Sequence, residues 1–276
     1  MNLLSGLPKE VAKRLQEHAQ GVLEVDATCD KHPRYNKLLM PDGEIICPIC
    51  HKDERDAVVA EEKTKEYFQN SVEGRRQYLY EESIISNKRL LEKGFRDFHT
   101  KTPAEASIRK QAESLAMSVA SSDPVNIYLQ GVPGCGKSHL AMGLLRNANA
   151  LANGKRCLFV NFPALKQKIR RSYDNQYSEE SEPKLIQKMI AADILVLDDI
   201  ADEINPKTQK TQVSDFSARI LYAVMDARGE RKPTIFTSNI SWLDLKKLLD
   251  QRVTSRMSYR QEILSFNEIT DKRGEI

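Results

Sequence analysis

Gly131-Val-Pro133-Gly134-Cys135-Gly136-Lys137-Ser138 carries the spacing Gly-x-x-x-x-Gly-Lys-Ser. The apolar run Asn126-Ile-Tyr-Leu-Gln130 precedes it and His139-Leu-Ala-Met-Gly-Leu-Leu145 follows. A strand, this loop and a helix in that order form a phosphate-binding P-loop. Glycines let the backbone N–H groups curl inward around phosphate oxygens, and the helix adds the positive end of its dipole. Lys137 is placed to reach the β- and γ-phosphates, and the Ser138 hydroxyl suits Mg²⁺. Gly131, Pro133, Gly134, Cys135, Gly136 and His139 complete the expected nucleotide contact set.

Two further groups of residues fit the same chemistry. Asp193-Ile-Leu-Val-Leu197 ends in Asp198-Asp199, a buried strand delivering an acidic pair at its carboxyl end. In this Walker B pattern the first acid supports Mg²⁺ and the second orients the attacking water, so Asp198 is assigned to the metal and Asp199 to the base. Asp202 and Glu203 follow closely and are alternatives for the base. Thr234–Thr237 leads to Ser238 and Asn239, whose amide is expected near the γ-phosphate or the water. Asn239 also suits the turn before Ser241-Trp-Leu-Asp244, itself a capping-box spacing. Arg252 and Arg256 stand four apart on one helix face, with no obvious acidic partner, and are either solvated or available to a neighbouring subunit.

A second chemistry is written near the start. Cys29-Asp-Lys-His32 and Cys47-Pro-Ile-Cys50 each hold two ligand types separated by two residues, and fourteen residues lie between His32 and Cys47. Two such pairs can close a tetrahedron around Zn²⁺, with His51 as the alternative to His32. A closed four-ligand set implies a structural role, and in so small a module the metal is a large part of the folding energy.

The elements that must position these residues follow from pattern and composition. Five strand-like runs, 126–130, 157–162, 193–197, 234–237 and 262–266, alternate with helical segments. That alternation predicts an α/β fold with a five-stranded parallel sheet, ligands binding at the carboxyl ends of its strands. Leu7, Val11 and Leu15 after Ser5 and Pro8 predict a short amphipathic helix closed by Gly21, and 52–70 reads as a helix leaving the metal module. The expected division is a zinc-binding domain over 1–72, a linker over 73–105, part of which folds back, and an ATPase domain over 106–276. A net charge of +3 among 29% charged residues does not by itself mark a nucleic-acid binder, so local clusters must carry that case. No run approaches the roughly eighteen apolar residues of a membrane span, and Met1-Asn-Leu-Leu-Ser5 lacks a secretory pattern. Five cysteines, three of them spaced with a histidine, suit a reducing compartment, and a cytoplasmic protein without membrane contact is expected.

Pro-Gly-Cys-Gly-Lys-Ser-His-Leu-Ala, Asp-Asp-Ile after the third strand, Thr-Ser-Asn after the fourth and Arg-x-x-Ser-Arg before the fifth together resemble the AAA+ ATPases of the initiator and helicase-loader branch. With the Cys/His module the chain looks most like DnaC/DnaI-type loaders of the replicative helicase, a phage origin being one option. The resemblance covers about residues 86–276 well and the metal module more loosely. It implies an AAA+ sheet in which the fourth strand lies between the P-loop and Walker B strands. It also implies that Arg256, with Arg252 beside it, acts as a finger in a neighbour's site, and that self-association runs through that contact. No separate helical lid is expected, and Arg273 is a candidate for a late arginine contact. The second Walker B acid is more often Glu in such ATPases, so Asp199 implies slow turnover and a nucleotide that acts mainly as a switch.

Between the second and third strands, Lys166, Lys168, Arg170, Arg171 and Tyr173 form a basic segment followed by acidic 178–182. From composition alone this is a solvated face; the resemblance implies single-stranded DNA, with cations on the phosphates and Tyr173 stacking. The function implied is an ATP-dependent loader whose N-terminal zinc module grips the hexameric replicative helicase and which delivers it onto single-stranded DNA. The alternatives are an IstB-like helper ATPase of DNA transposition and a zinc-bearing DNA-binding adaptor with a vestigial ATPase.

Overall fold

The computed structural model describes residues 21–151, 154–173, 180–202 and 213–272. The helix expected over 7–21, Glu203 and Arg273 therefore lie outside the described residues. Two compact units are resolved, 1–68 and 69–276.

In the first unit, β1 (Leu23–Thr28), β2 (Asn36–Leu39) and β3 (Ile45–Ile46) form an antiparallel sheet in that order. Helix α1 (Pro48–Asn70) starts within the Cys47-Pro-Ile-Cys50 turn and runs on past the unit's end. None of its side chains is buried. Among the described residues of this unit only Cys29 and Cys47 are buried, so it has almost no apolar core.

The second unit is built on β4 (Asn126–Gln130), β5 (Cys157–Asn161), β6 (Ile194–Asp198), β7 (Thr234–Ser238) and β8 (Gln261–Ser265). The sheet order is β5-β6-β7-β4-β8 with every neighbouring pair parallel. The fourth of these strands thus sits between the P-loop and Walker B strands, as the resemblance implies. Parallel strands covered on both faces read as continuous apolar runs. Ile127, Leu129, Phe159, Val196 and Ile235 belong to one core with α3 (Pro103–Ala120) and α4 (Lys137–Leu151). Tyr128, Leu158, Val160, Leu195, Leu197 and Phe236 alternate with them into the opposite core. That core is closed by α5 (Phe162–Arg171), α6 (Glu182–Ala191), α7 (Asp215–Arg228), α8 (Trp242–Leu248) and α9 (Gln251–Met257).

Local signals set the helix starts. Thr102 Oγ1 accepts from the Glu105 N–H at 3.2 Å while the Glu105 carboxylate accepts from the Thr102 N–H at 3.1 Å, a closed capping box that starts α3. Ser241 accepts from the Asp244 N–H at 3.1 Å and starts α8. The cap of α8 is therefore Ser241, and Asn239 is left for the site.

Residues 73–105, expected as a linker, belong to the second unit. Leu79 of α2 (Val72–Glu82) is fully buried, and Phe95 and Phe98 join the core on α4. Ile84 adds a parallel bridge to Val160, its N–H donating to Phe159 O at 2.9 Å, which covers the outer edge of β5. Apolar residues this widely spaced among charges lack a helical or strand period, which hid the packing. Among the described residues no helix is long and apolar enough to cross a membrane.

Among the described residues the largest fully buried side chain is Arg228, at the end of α7. Its guanidinium donates to Met189 O at 2.9 Å, Pro233 O at 2.8 Å and Thr234 Oγ1 at 3.2 Å, and also to Ala192 O. It satisfies the end of α6 and the approach to β7 with one planar donor set, and burial pushes its pKa down to about 9. Arg228→Met should destabilise this unit by about 3 kcal/mol, because the carbonyls lose their donors in a site closed to water. Urea unfolding followed by Trp242 fluorescence measures it, and an unchanged midpoint would refute the clamp.

Candidate functional site

The P-loop leaves β4 and enters α4 with left-handed glycines. Gly134 has φ of +81° and Gly136 of +99°. Conformation is only half of the requirement. A Cβ on Gly134 would stand 1.8 Å from Asp271 Oδ1, and one on Gly136 2.6 Å from Phe98 Cε2. Segments from both ends of the unit thus press on the loop. Cys135 is fully buried beneath it.

Lys137 is buried and folded onto its own loop. Its ammonium donates to Gly131 O and Val132 O at 2.8 Å each and to Asn239 Oδ1 at 2.9 Å. Burial lowers its pKa, opposed by the charges of Asp199 and Asp198. His139 Nε2 lies 3.0 Å from Gly94 O, and its ring meets Phe98 edge-on at 5.5 Å. Burial lowers the pKa of this imidazole, favouring the neutral ring. His139 lines the cavity and also ties the 94–98 segment to the loop.

A cavity of ≈ 300 Å³ opens above the loop, lined by glycines 134 and 136, Lys137, Ser138, Asp198, Asp199 and Asn239 among others. Ser138 and Asp198 offer a hydroxyl and a carboxylate on one cavity, the hard oxygen donors that Mg²⁺ takes. Asp198 is itself buried. Its Oδ1 accepts from Thr237 Oγ1 at 2.8 Å and its Oδ2 from Asn161 Nδ2 at 3.0 Å. Thr237 Oγ1 in turn accepts from the Asp199 N–H at 2.9 Å, and Asp199 has φ of +60°. Asp199 Oδ1 accepts from Asn239 Nδ2 at 3.0 Å. Burial, with the charges of Asp198 and Asp202, pushes the Asp199 carboxyl up to about 6. A carboxylate so placed can orient water and accept its proton.

Two of these residues escaped the sequence reading. Asn161 ends β5 directly opposite Asp198, and its Oδ1 caps α5 by accepting from the Ala164 N–H. The signal was there, an Asn-x-Pro cap after an apolar strand. Thr237 was visible as the first residue of Thr-Ser-Asn, but not as the pin between the two acids.

The arginines and the basic helix need correction. Arg256 pairs with Asp226, and Arg252 with Asp250 at 3.2 Å, so acids do claim both. Their guanidinium carbons stand 5.7 and 5.3 Å from the centre of the Tyr222 ring, which confirms their shared face. Lys166 does not lie along an outer face with Arg170. It is 5% exposed and donates to Asp202 Oδ1 at 2.7 Å, because Phe162, Leu165 and Ile169 turn that side of α5 into the core. Arg170, Arg171 and Tyr173 are exposed, and Lys168 pairs with Glu180.

In the first unit, Cys29, His32, Cys47 and Cys50 bring one ligand atom each within 4.8 Å of one another. His32 Nδ1 lies 3.3 Å from Cys50 Sγ, 3.7 Å from Cys47 Sγ and 3.9 Å from Cys29 Sγ, and Cys29 and Cys50 sulfurs are 3.6 Å apart. Tetrahedral zinc with bonds of about 2.3 Å to sulfur requires ligand separations of about 3.8 Å. The donor set fits, and the cluster uses His32, not His51. His32 Nε2 faces Asp53 Oδ2 at 3.9 Å, the kind of carboxylate that orients a ligating ring.

A family model described as IstB-like ATP binding protein matches residues 51–264. The chain belongs to the IstB-like ATP-binding family. Curated relatives include the replicative helicase loader DnaC of Buchnera aphidicola, 29% identical over 144 residues, or 51% of this chain and 54% of that one. The DnaC loader of Escherichia coli K12 is 29% identical over 133 residues, 48% and 49% of the two chains. The chain thus spans about half the length of the curated relatives it matches. A crystal structure of the DnaC helicase loader superposes with a TM-score of 0.54 at 22% identity, covering 67% of this chain and all of that one. That likeness shows the fold, a P-loop α/β domain on a five-stranded parallel sheet.

Thr237→Val keeps the side chain's shape and removes both hydrogen bonds to the acidic pair. Magnesium-dependent ATP hydrolysis should slow by about tenfold or more, with ATP affinity in EDTA unchanged. Purified protein should carry about one zinc per chain by plasma emission, lost in Cys47→Ser, and chelation should melt the β1–β3 unit while the second unit stays folded.

Proposed function

We propose that this chain is an ATP-dependent loader that binds the hexameric replicative DNA helicase and delivers it onto single-stranded DNA. The observation that carries this reading is the Cys/His unit ahead of a nucleotide site that gathers the P-loop, Asp198, Asp199 and Asn239 on one cavity. A site that serves only ATP has no need of such a head; a protein that must hold a second protein does. Similarity to proteins named as DnaC helicase loaders supports the same reading. The first unit, 1–68 rather than the expected 1–72, is then the partner-binding zinc domain, with Cys29, His32, Cys47 and Cys50 replacing the core that the unit lacks.

Within the site each residue has one task. Lys137 leaves the carbonyls of its own loop for the β- and γ-phosphates. Ser138 and Asp198 hold Mg²⁺, which supplies charge neutralisation on the phosphates. Asp199 takes the proton of the attacking water, and Asn239, already bonded to both Lys137 and Asp199, fixes the geometry between them. Hydrolysis is slow and regulatory. Arg256, assisted by Arg252, exchanges Asp226 for the phosphates bound by a neighbouring subunit, so that self-association and hydrolysis are coupled. Lys168, Arg170, Arg171 and Tyr173 track the DNA strand, without Lys166.

Similarity to a protein of Sinorhizobium fredii named as a putative insertion sequence ATP-binding protein supports a second reading, a helper ATPase of DNA transposition. Pull-down by the full chain separates the two. With ATP and Mg²⁺ present it should retain the replicative helicase, and Cys47→Ser should lose it. Retention of transposase and not helicase would replace the first reading by the second.

A further inference from the structure

Helix α5 carries a cation on its apolar face. Phe162, Leu165 and Ile169 point into the core at helical spacing, and Lys166 stands among them at 5% exposure. Fully charged lysines are rarely buried this deeply, and one that is must be paired. The stem lies by the Phe162 ring, with Nζ 5.5 Å from its centroid, and the ammonium reaches Asp202 at 2.7 Å. Asp202 ends the short turn that begins with the acidic pair, and its N–H donates to Asp199 O at 3.3 Å. The start of the same turn is held by the same helix, since the cap residue Asn161 donates to Asp198. Asp199, between these two anchors, is in the left-handed region. Three carboxylates within five residues would repel one another and any triphosphate. Lys137 meets them from the P-loop side and Lys166 from the helix side.

We propose that Lys166 is a positioning residue of the ATP site. It fastens the Asp198–Asp202 turn to α5, so that Asp199 keeps its left-handed geometry and its aim at Asn239. The inference rests on the ATPase reading above. It also gives α5 two faces with distinct tasks: Arg170 and Arg171 look outward, while Asn161 and Lys166 hold the acidic turn from within. Displacement of α5 would move both anchors together.

The test compares Lys166→Met, Lys166→Arg and Asp202→Ala in the full chain, by three measurements. Lys166→Met and Asp202→Ala should lower the saturated hydrolysis rate by about tenfold while ATP affinity stays within about twofold, and Lys166→Arg should restore the rate. Amide hydrogen exchange should accelerate over 198–202 and remain slow over 162–171. A wild-type rate in Lys166→Met, or faster exchange confined to α5, would reduce the pair to a helix clamp and overturn the proposal. A loss of ATP affinity with the saturated rate intact would make Lys166 a ligand contact and equally overturn it. Should the wild-type chain hydrolyse no ATP, the ATPase reading falls, and the exchange pattern alone still decides whether Lys166 holds the turn.

Discussion

The polar side of the nucleotide site is organised around one buried carboxylate and the groups that hydrogen-bond it. Asp198 ends the strand next to the middle of a parallel sheet, where an unpaired carboxylate would cost several kcal/mol. Its two oxygens are met from opposite sides by neutral donors, Asn161 from β5 and Thr237 from β7. Because both neighbours are parallel, Asn161, the last residue of β5, and Thr237, the residue after Phe236 in β7, arrive at the level of Asp198. A chain of hydrogen bonds then runs from Ser86 through Asn161, Asp198, Thr237, Asp199 and Asn239 to Lys137. Both oxygens of Asp198 are thus satisfied by donors from within the sheet.

The P-loop is constrained from the other side by chain remote in sequence. Phe98 and Asp271 approach Gly136 and Gly134 too closely for any side chain there. Lys272 joins these two segments, since it pairs with Glu105 at 2.7 Å and lies 4.2 Å from the Phe98 ring centre. The stretch before α3 is therefore part of the ATP-binding unit. The first unit follows a different logic, with four ligands standing where a core would be.

What could be seen in advance was whatever is encoded over a few residues. The P-loop, the Asp198-Asp199 pair, the five strands and the two ligand pairs are each local patterns; the second unit brings the P-loop and the acidic pair onto one cavity, and the first unit brings the two ligand pairs to one another. Lys166 was misread because a four-residue spacing of charges says nothing about which face is buried. Phe162, Leu165 and Ile169, in the same spacing, carried that information. Asp226 lies thirty residues from Arg256, beyond any local pattern, whereas Asp250 stood two residues from Arg252 and was within reach. Asn161 and Thr237 become functional only once sheet order sets them on either side of Asp198, and sheet order is a property of the fold.

The claim on which the rest stands is that the cavity over residues 131–138 is a triphosphate site gripped by Lys137. Calorimetric titration of MgATP into the full chain and into Lys137→Ala tests it most directly. The wild-type chain should bind at one site, and the variant should show no saturable heat at the same concentrations. Equal affinity in the two proteins would contradict the assignment.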